Sequence, residues 1–342
     1  MRAPPLARAD LDLMLEQTRE RWEEARGQRI FITGGTGFFG CWLVESFCHV
    51  NRELGLGAQA TVLTREPARF AAKCLHLAND AAITLHAGDV RSFEFPEGEF
   101  RYVVHAATES VAQQSADETR STIVDGTRRT LEFAEQCGAR KFLLTSSGAV
   151  YGRQPVEMMH VPESYVGETG AENSAPNAYA EGKRRAEAMC AEANGFEAKI
   201  ARCWAFCGPH LALDAHFAVG NFIGDVLAGR PIAIGGDGTP RRSYLYAADL
   251  AAWLWTMLFR APALVPINVG SAHDVSIREL AEIVARTLAL GTEIRVAKQA
   301  VPGAAPARYV PSVERAERLL GLRETVGLEE QIRRTAAWYR QR

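Results

Sequence analysis

The chain contains no apolar run long enough to cross a bilayer. The longest, Leu250–Phe259, is about half of the ~20 residues a spanning helix needs. Nor is there an excess of charge of one sign: 39 Lys and Arg stand against 41 Asp and Glu, a formal net charge of −2. Near-neutrality supplies no broad basic field for a phosphate backbone, so neither a membrane nor a nucleic acid is expected as partner. Residues 1–29 lack the apolar stretch of a secretion signal and alternate charges at Arg19, Glu20, Arg21, Glu23, Glu24 and Arg26. No Cys-x-x-Cys occurs among the seven cysteines, which are dispersed at 41, 48, 74, 137, 190, 203 and 207. An odd, scattered set argues against a disulfide framework and has no metal-ligand spacing, so no metal is expected; Cys203 and Cys207 are the nearest pair. Such cysteines read as reduced core residues of a cytoplasmic protein. Repeats and low-complexity linkers are missing too.

What is present is a chain of 342 residues, 47% of them hydrophobic, long enough to bury about 75% of its unfolded surface without staples. A helical period at Leu11, Leu15, Thr18 and Trp22 predicts an N-terminal helix over 10–26 that packs onto the body without chemistry of its own. Apolar strands are expected at 29–33, 60–63, 83–86, 101–105 and 141–145. They alternate with helices at 39–52, 121–137 and 177–193, the last stopped by Asn194-Gly195. Strands that are apolar on both faces and alternate with helices predict an α/β fold with a doubly wound parallel sheet. Beyond Gly208-Pro209 the pattern loses regularity, which predicts a smaller C-terminal α/β lobe. The expected division is a helical extension over 1–27 and a dinucleotide-binding domain over 28–202, with a returning segment at 241–270. The substrate-binding lobe would comprise 203–240 and 271–342.

Between the first strand and the first long helix lies Thr33-Gly34-Gly35-Thr36-Gly37-Phe38-Phe39-Gly40. In that context Gly34 permits the tight turn, Gly37 lets backbone approach a pyrophosphate at the helix N-terminus, and Gly40 allows close helix–strand packing. The sheet is therefore expected to be of Rossmann type. The second strand ends Leu63-Thr64-Arg65-Glu66. Arg65 stands where an acid would accept from ribose hydroxyls, with Thr64 beside it, and an Arg–phosphate contact is worth roughly 1.5–3 kcal/mol. This favours NADP over NAD; in the competing reading Glu66 binds the ribose.

Tyr179 and Lys183 stand at i and i+4 of the helix expected at 177–193, hence on one face. A neighbouring ammonium favours the phenolate and makes the tyrosine a usable acid/base. A Ser-rich strand end, Thr145-Ser146-Ser147-Gly148-Ala149-Val150-Tyr151-Gly152, offers a hydroxyl to a substrate carbonyl oxygen.

With these motifs in order, the chain resembles an extended short-chain dehydrogenase/reductase of the NAD(P)-dependent nucleotide-sugar epimerase/dehydratase family. Further landmarks are Gly88-Asp89-Val90, His105-Ala106-Ala107, Arg202 to Gly208-Pro209, Gly236-Asp237-Gly238-Thr239-Pro240-Arg241-Arg242 with Asp249-Leu250, and Asn268-Val269-Gly270-Ser271. The resemblance spans about residues 28–341. It implies Ser147 as the catalytic hydroxyl, Tyr179 as acid/base, and Lys183 as the residue that orients the nicotinamide ribose and lowers the phenol's pKa. It implies a cofactor site built from Gly34, Thr36, Gly37, Phe38, Phe39, Gly40, Thr64, Arg65, Asp89, Val90, Ala106, Ala107 and Thr108, with His105 in the cofactor loop. For the substrate it implies Ser147, Gly148, Arg242 on the pyrophosphate and, more loosely, Arg308. A homodimer formed by two helices from each subunit is expected on the same ground.

The departures from the family pattern narrow the chemistry. Where the resembling dehydratases carry an acidic pair after the hydroxyl residue, and sugar-acid decarboxylases keep a Glu, this chain has Gly148 and Ala149. Ile123 and Ala205 replace two expected asparagines, and Asn221 is a candidate to compensate for the second. A 4-keto-(6-deoxy)sugar reductase or a sugar epimerase is the expected activity. The alternatives are a 4,6-dehydratase without the acidic pair and a reductase of a small non-sugar carbonyl; a non-catalytic dinucleotide sensor is disfavoured by the complete Ser–Tyr–Lys set. Residues 153–176, including Tyr165 and Glu168, are expected to shape specificity.

Overall fold

In the computed structural model, which describes residues 2–107, 115–167, 177–215 and 217–342, the apolar segments become the strands of one sheet. They are β1 (Arg29–Thr33), β2 (Gln59–Thr64), β3 (Ile83–Ala87), β4 (Tyr102–His105), β5 (Lys141–Ser147) and β6 (Glu197–Cys203), with Pro266–Val269 at one edge. Their order across the sheet is 266–269, β6, β5, β4, β1, β2, β3, and every pairing is parallel. The chain winds outward from β1 through β2 to β3, then returns to lay β4 on the other side of β1. That reversal is the point at which open α/β sheets bind ligands. The register puts Thr33 beside both Leu63 and His105, and Ser147 beside Cys203, so the C-terminal strand ends share one rim.

Two boundaries and one interior strand depart from the sequence reading. The N-terminal segment is an α-helix only over Arg8–Thr18 and continues as a 3-10 helix over Arg19–Ala25. Thr18 donates from its hydroxyl to the Met14 carbonyl at 2.8 Å and accepts from Trp22 Nε1 at 2.9 Å; such back-bonding commonly bends a helix. The helix expected from 121 begins at Ala116, where Ser115 and Glu118 form a reciprocal capping box. Strand β6 was not anticipated, because Lys199 and Arg202 interrupt its apolar pattern. Lys199 is buried beside Glu197, and Arg202 pairs with Glu187 at 2.7 Å.

The helix Ala247–Arg260 is buried on nearly every side, as a helix apolar all round must be. It packs against β5 and β6 and is covered by helix 8–18 and the 3-10 segment, with the Trp22 and Trp255 rings 4.8 Å apart. The C-terminal lobe packs helices Ala218–Leu227, Ile277–Leu288 and Leu328–Tyr339 around Phe222, Ile223, Leu280, Val284 and Ile332. Its small sheet sets Arg241–Ser243 between Asp274–Ser276 and Arg308–Tyr309. Among the described residues no helix is long and apolar enough to cross a membrane.

Candidate active site

A cleft of about 970 Å³ lies along the rim of the sheet and is closed on the far side by the lobe. Gly34, Thr36, Gly37, Phe38 and Phe39 form one wall. Gly34 has φ +69°, and a Cβ there would lie 2.4 Å from the Ala106 carbonyl carbon, so the turn folds directly against the end of β4. A Cβ on Gly40 would lie 2.2 Å from the Gly34 oxygen. No side chain caps helix Phe38–Glu53, which leaves its first-turn N–H groups for an anion. These features fit a dinucleotide pyrophosphate.

The adjoining loop is held by a buried chain of hydrogen bonds. The Ala107 N–H donates to Thr33 Oγ1 at 3.2 Å, and Thr33 Oγ1 lies 2.8 Å from His105 Nδ1. His105 Nε2 lies 3.1 Å from Thr127 Oγ1, whose own proton goes to the Ile123 carbonyl at 2.6 Å. That sequence assigns the His105 proton to Nε2. Burial, reinforced by the charge of Lys183, holds the imidazole neutral with a pKa of about 3. His105 thus braces Ala106 and Ala107, which line the cleft; Thr108 lies outside the described residues.

At the distal end Thr64, Arg65, Asp89 and Val90 line the cleft. Arg65 is exposed, whereas Glu66 is not in the lining and pairs with Arg69 at 3.0 Å. Arg91 holds Asp89 through two side-chain bonds of 2.8 Å, which, with Arg65 acting in the same sense, keeps the carboxyl below the usual range.

At the other end Ser147 terminates β5 and caps the 3-10 turn Gly148–Tyr151, its Oγ accepting from the Ala149 N–H at 3.1 Å. Tyr179 and Lys183 share one face of helix Ala178–Glu192, whose N-cap Asn177 accepts from the Ala180 N–H at 3.2 Å. Lys183 Nζ donates to the Thr145 carbonyl at 2.8 Å and lies 5.8 Å from the Tyr179 ring centre. The Ser147 hydroxyl and the Tyr179 phenol both line the cleft here. Burial pushes the Tyr179 phenol up, and the Ser147 hydroxyl only partly opposes it. Burial also pulls Lys183 down to about 8. The protein alone therefore holds a neutral phenol: burial dominates, and Lys183 is not among the groups that act to lower it.

One residue on this centre carries no signal in the sequence. Tyr309, on strand Arg308–Tyr309, lines the cleft from the lobe side together with Ser147, and burial pushes its phenol above its ordinary value. Its ring lies 4.4 Å from that of Trp204. A Cβ on Gly148 would sit 2.6 Å from Trp204 and 2.8 Å from the Tyr309 hydroxyl, so these two side chains fill the space beside Gly148. Behind them Asn268 accepts from Tyr151 at 2.9 Å and from Trp204 at 3.1 Å, and Tyr165 stacks on Tyr151. Glu168 lies outside the described residues.

The substrate candidates separate. Arg242 lines the cleft, 5.9 Å from the Tyr309 ring centre, and no carboxylate among the described residues pairs with it. Arg308 instead reaches Asp274 at 2.9 Å and does not line the cleft. Asn221, on helix Ala218–Leu227, is also outside the lining, with its Oδ1 buried and without a partner.

Comparison with known proteins agrees with this geometry. A model of the NAD-dependent epimerase/dehydratase family matches residues 30–270. UDP-glucuronic acid decarboxylase 1 of Arabidopsis thaliana is 29% identical over 318 residues, 92% of this chain and 70% of that one. The Xenopus tropicalis protein of the same name is 29% identical over 92% of this chain and 72% of its own. Among solved structures, UDP-glucose 4-epimerase of Thermotoga maritima superposes with a TM-score of 0.75 at 19% identity, covering 92% and 99% of the two chains. A Bordetella bronchiseptica enzyme in complex with NAD and UDP gives 0.71 at 22%, covering 91% and 94%. A glycine turn at the switch point of a parallel sheet, a Ser–Tyr–Lys rim and a family match over most of the length lead to one assignment: the chain belongs to the NAD-dependent epimerase/dehydratase family.

Proposed function

We propose that this protein transfers hydride at a carbinol or ketone carbon of a nucleotide-activated sugar, as a 4-keto-(6-deoxy)sugar reductase or a sugar epimerase, with NADP favoured over NAD. The observation that carries this reading is the composition of the reaction end of the cleft. Ser147, Tyr179 and Lys183 meet there, and the positions next to Ser147 are Gly148 and Ala149, with no carboxyl group. The dinucleotide, when bound, supplies the hydride donor or acceptor. The chain's part is to hold the reacting oxygen between the Ser147 and Tyr179 hydroxyls and to exchange a proton at the Tyr179 oxygen. Gly34 to Gly40 would hold the pyrophosphate, Asp89 and Val90 the adenine, and Lys183 the nicotinamide ribose. Arg65 supports the 2′-phosphate because it lines the cleft and Glu66 does not. Arg242 would take the sugar nucleotide's diphosphate. A cytoplasmic homodimer completes the reading, with helices 116–136 and 178–192, packed side by side, as its four-helix contact.

The names of the relatives favour a second reading, decarboxylation of a nucleotide-linked sugar acid. Oxidation at the carbon β to a carboxylate would make that group labile, but Ala149 offers no side-chain acid to the step. One experiment separates the readings. The protein is denatured, the released nucleotide identified by mass spectrometry, and the native enzyme supplied with a 4-keto sugar nucleotide plus NADPH, with UDP-glucose, or with UDP-glucuronate. NADPH consumption marks the reductase, and tightly held NAD with isomerised UDP-sugar the epimerase. Release of CO2 from UDP-glucuronate refutes the proposal in favour of the second reading.

A further inference from the structure

Three buried side chains unused by the cleft chemistry converge beside the glycine turn, His210 among them bordering the cleft. Cys41 lies in the first turns of helix 38–53, Cys74 just past the helix Pro67–Lys73, and His210 in the segment leading from β6 into the lobe. The two Sγ atoms and a ring nitrogen lie within 4.8 Å of one another. Both cysteines are free and fully buried. Both ring nitrogens of His210 are buried with no hydrogen-bond partner. An imidazole has two polar positions to satisfy, and buried groups of this kind nearly always find partners.

His210 is also held there deliberately. Its φ of +69° is in the left-handed region that non-glycine residues seldom adopt. Trp42 Nε1 donates to the carbonyl of the preceding Pro209 at 2.9 Å, and the Trp338 ring packs 4.6 Å from the imidazole. The ring is therefore clamped by backbone and by an aromatic face. Backbone strain of this kind collects at sites where geometry matters.

We propose that Cys41, Cys74 and His210 form a binding site for one Zn2+ ion, with a water molecule as the fourth ligand. Two thiolates and an imidazole are the soft donor set that zinc takes in tetrahedral geometry. Bond lengths of ~2.3 Å to sulfur and ~2.0–2.1 Å to nitrogen put neighbouring ligand atoms about 3.4–3.8 Å apart, which small side-chain rotations reach from the present separations. Two thiolates cancel the charge of the ion. Of the groups acting on the thiols, Glu45 and Lys73 oppose each other, and His76 is engaged by Glu45 at 3.1 Å.

The ion would join three segments remote in sequence: the helix behind the glycine turn, the stretch after β2, and the entry to the lobe. In the metal-free thiol form Cys41 Sγ donates to the Thr36 carbonyl at 3.6 Å, a bond the ion would replace, and Thr36 lines the cleft, so the site adjoins that wall. Its role is structural, a clamp on that wall. Positions 41, 74 and 210 have no motif spacing, which is why the sequence hides the site.

The test is metal binding, independent of catalysis. Full-length protein is stripped with a chelator and titrated with Co2+ as the spectroscopic probe. The expected result is one Co2+ per chain, with thiolate-to-cobalt charge transfer and the intense d–d bands of a tetrahedral site, displaced by one equivalent of Zn2+. Cys74→Ser and His210→Ala, checked for folding by circular dichroism, should each weaken binding at least ten-fold. X-ray absorption at the zinc edge of the unmodified protein provides a second reading should a variant fail to fold, and a shell of two sulfurs and two lighter atoms is expected. Absence of thiolate–cobalt absorption, a zinc shell without sulfur, or a folded Cys74→Ser that binds as tightly as the parent would each overturn the site. None of these outcomes bears on the sugar-nucleotide reading.

Discussion

Burial acts on Tyr179 and Lys183 against the charged form of each, raising the phenol and lowering the ammonium to about 8. With the role proposed for it, function and stability therefore conflict at Lys183. Its fall from 10.5 to about 8 corresponds to about 3 kcal/mol of destabilisation. Below pH 8 both folded and unfolded states carry the proton and the cost is complete. Between 8 and 10.5 the unfolded chain binds more protons, so stability rises with pH, and above 10.5 the cost is gone. Replacing the lysine also deletes its bond to the Thr145 carbonyl, worth about 1 kcal/mol. Lys183→Met should consequently be inactive yet about 2 kcal/mol more stable at pH 7, with the gain fading by pH 10; urea titrations across that range would expose the opposite trend. Tyr179→Phe should keep dinucleotide affinity while turnover falls about 10²- to 10⁴-fold, measured by kcat beside a cofactor titration. Arg65→Asp tests the distal end. The ratio of kcat/KM for NADPH over NADH should drop about 10- to 100-fold if the guanidinium meets a phosphate, and an unmoved ratio would transfer that role elsewhere. Ser147, Tyr179 and Lys183 were legible because a strand end and an i, i+4 helix pair project predictably. Tyr309 was not, since only the lobe's fold carries strand 308–309 back across the rim.

Elements were legible where their reasons are local. The glycine turn, the strand before it and the helix after it follow from short-range sterics, and the observed contacts show how little slack exists. A Cβ on Gly40 would meet the Gly34 oxygen at 2.2 Å and the Gly35 Cα at 2.3 Å. Those are backbone atoms, which cannot rotate away. Gly40→Ala should therefore cost at least about 2–3 kcal/mol and weaken dinucleotide binding in the same variant. Gly235→Ala is its control: nothing lies within 4 Å of the added methyl, so the change should stay within about 0.5 kcal/mol. Thermal melts with and without dinucleotide would separate the two. Strand β6 escaped the sequence reading for a non-local reason. Its Arg202 looks like a surface residue until Glu187 of the preceding helix is brought against it, and no period in the sequence announces that pairing. The lobe elements are short for the same reason, each being stabilised by partners far along the chain.

At the scale of the molecule, the two ends of the chain meet around Asp10. The Asp10 carboxylate, nearly inaccessible, accepts from the Tyr246 hydroxyl at 2.7 Å and from Arg334 at 2.6 Å. Trp338 Nε1 reaches the Pro4 carbonyl at 3.1 Å, and Gln17 donates to buried Asp249 at 3.1 Å. The amphipathic period of residues 11–22 announced an N-terminal helix, but its polar face carried no hint that Asp10 would be an anchor. A helix merely resting on the body would contribute area alone; this one neutralises a buried charge network, so its loss should act on the entire fold. Breaking such a pair by removing one partner typically costs about 3–5 kcal/mol. Arg334 keeps Glu330 at 2.7 Å and is partly exposed, which puts Asp10→Ala at the lower end, about 3 kcal/mol. None of Asp10, Tyr246 and Arg334 lines the cleft, so KM for dinucleotide and substrate should not move at temperatures where the variant is folded. A urea midpoint that falls while the m-value stays constant would show that the clamp and the sheet unfold together. A lower m-value, or a separate early transition, would instead mean that the N-terminal helix melts alone and that the cleft is built on the remainder of the chain.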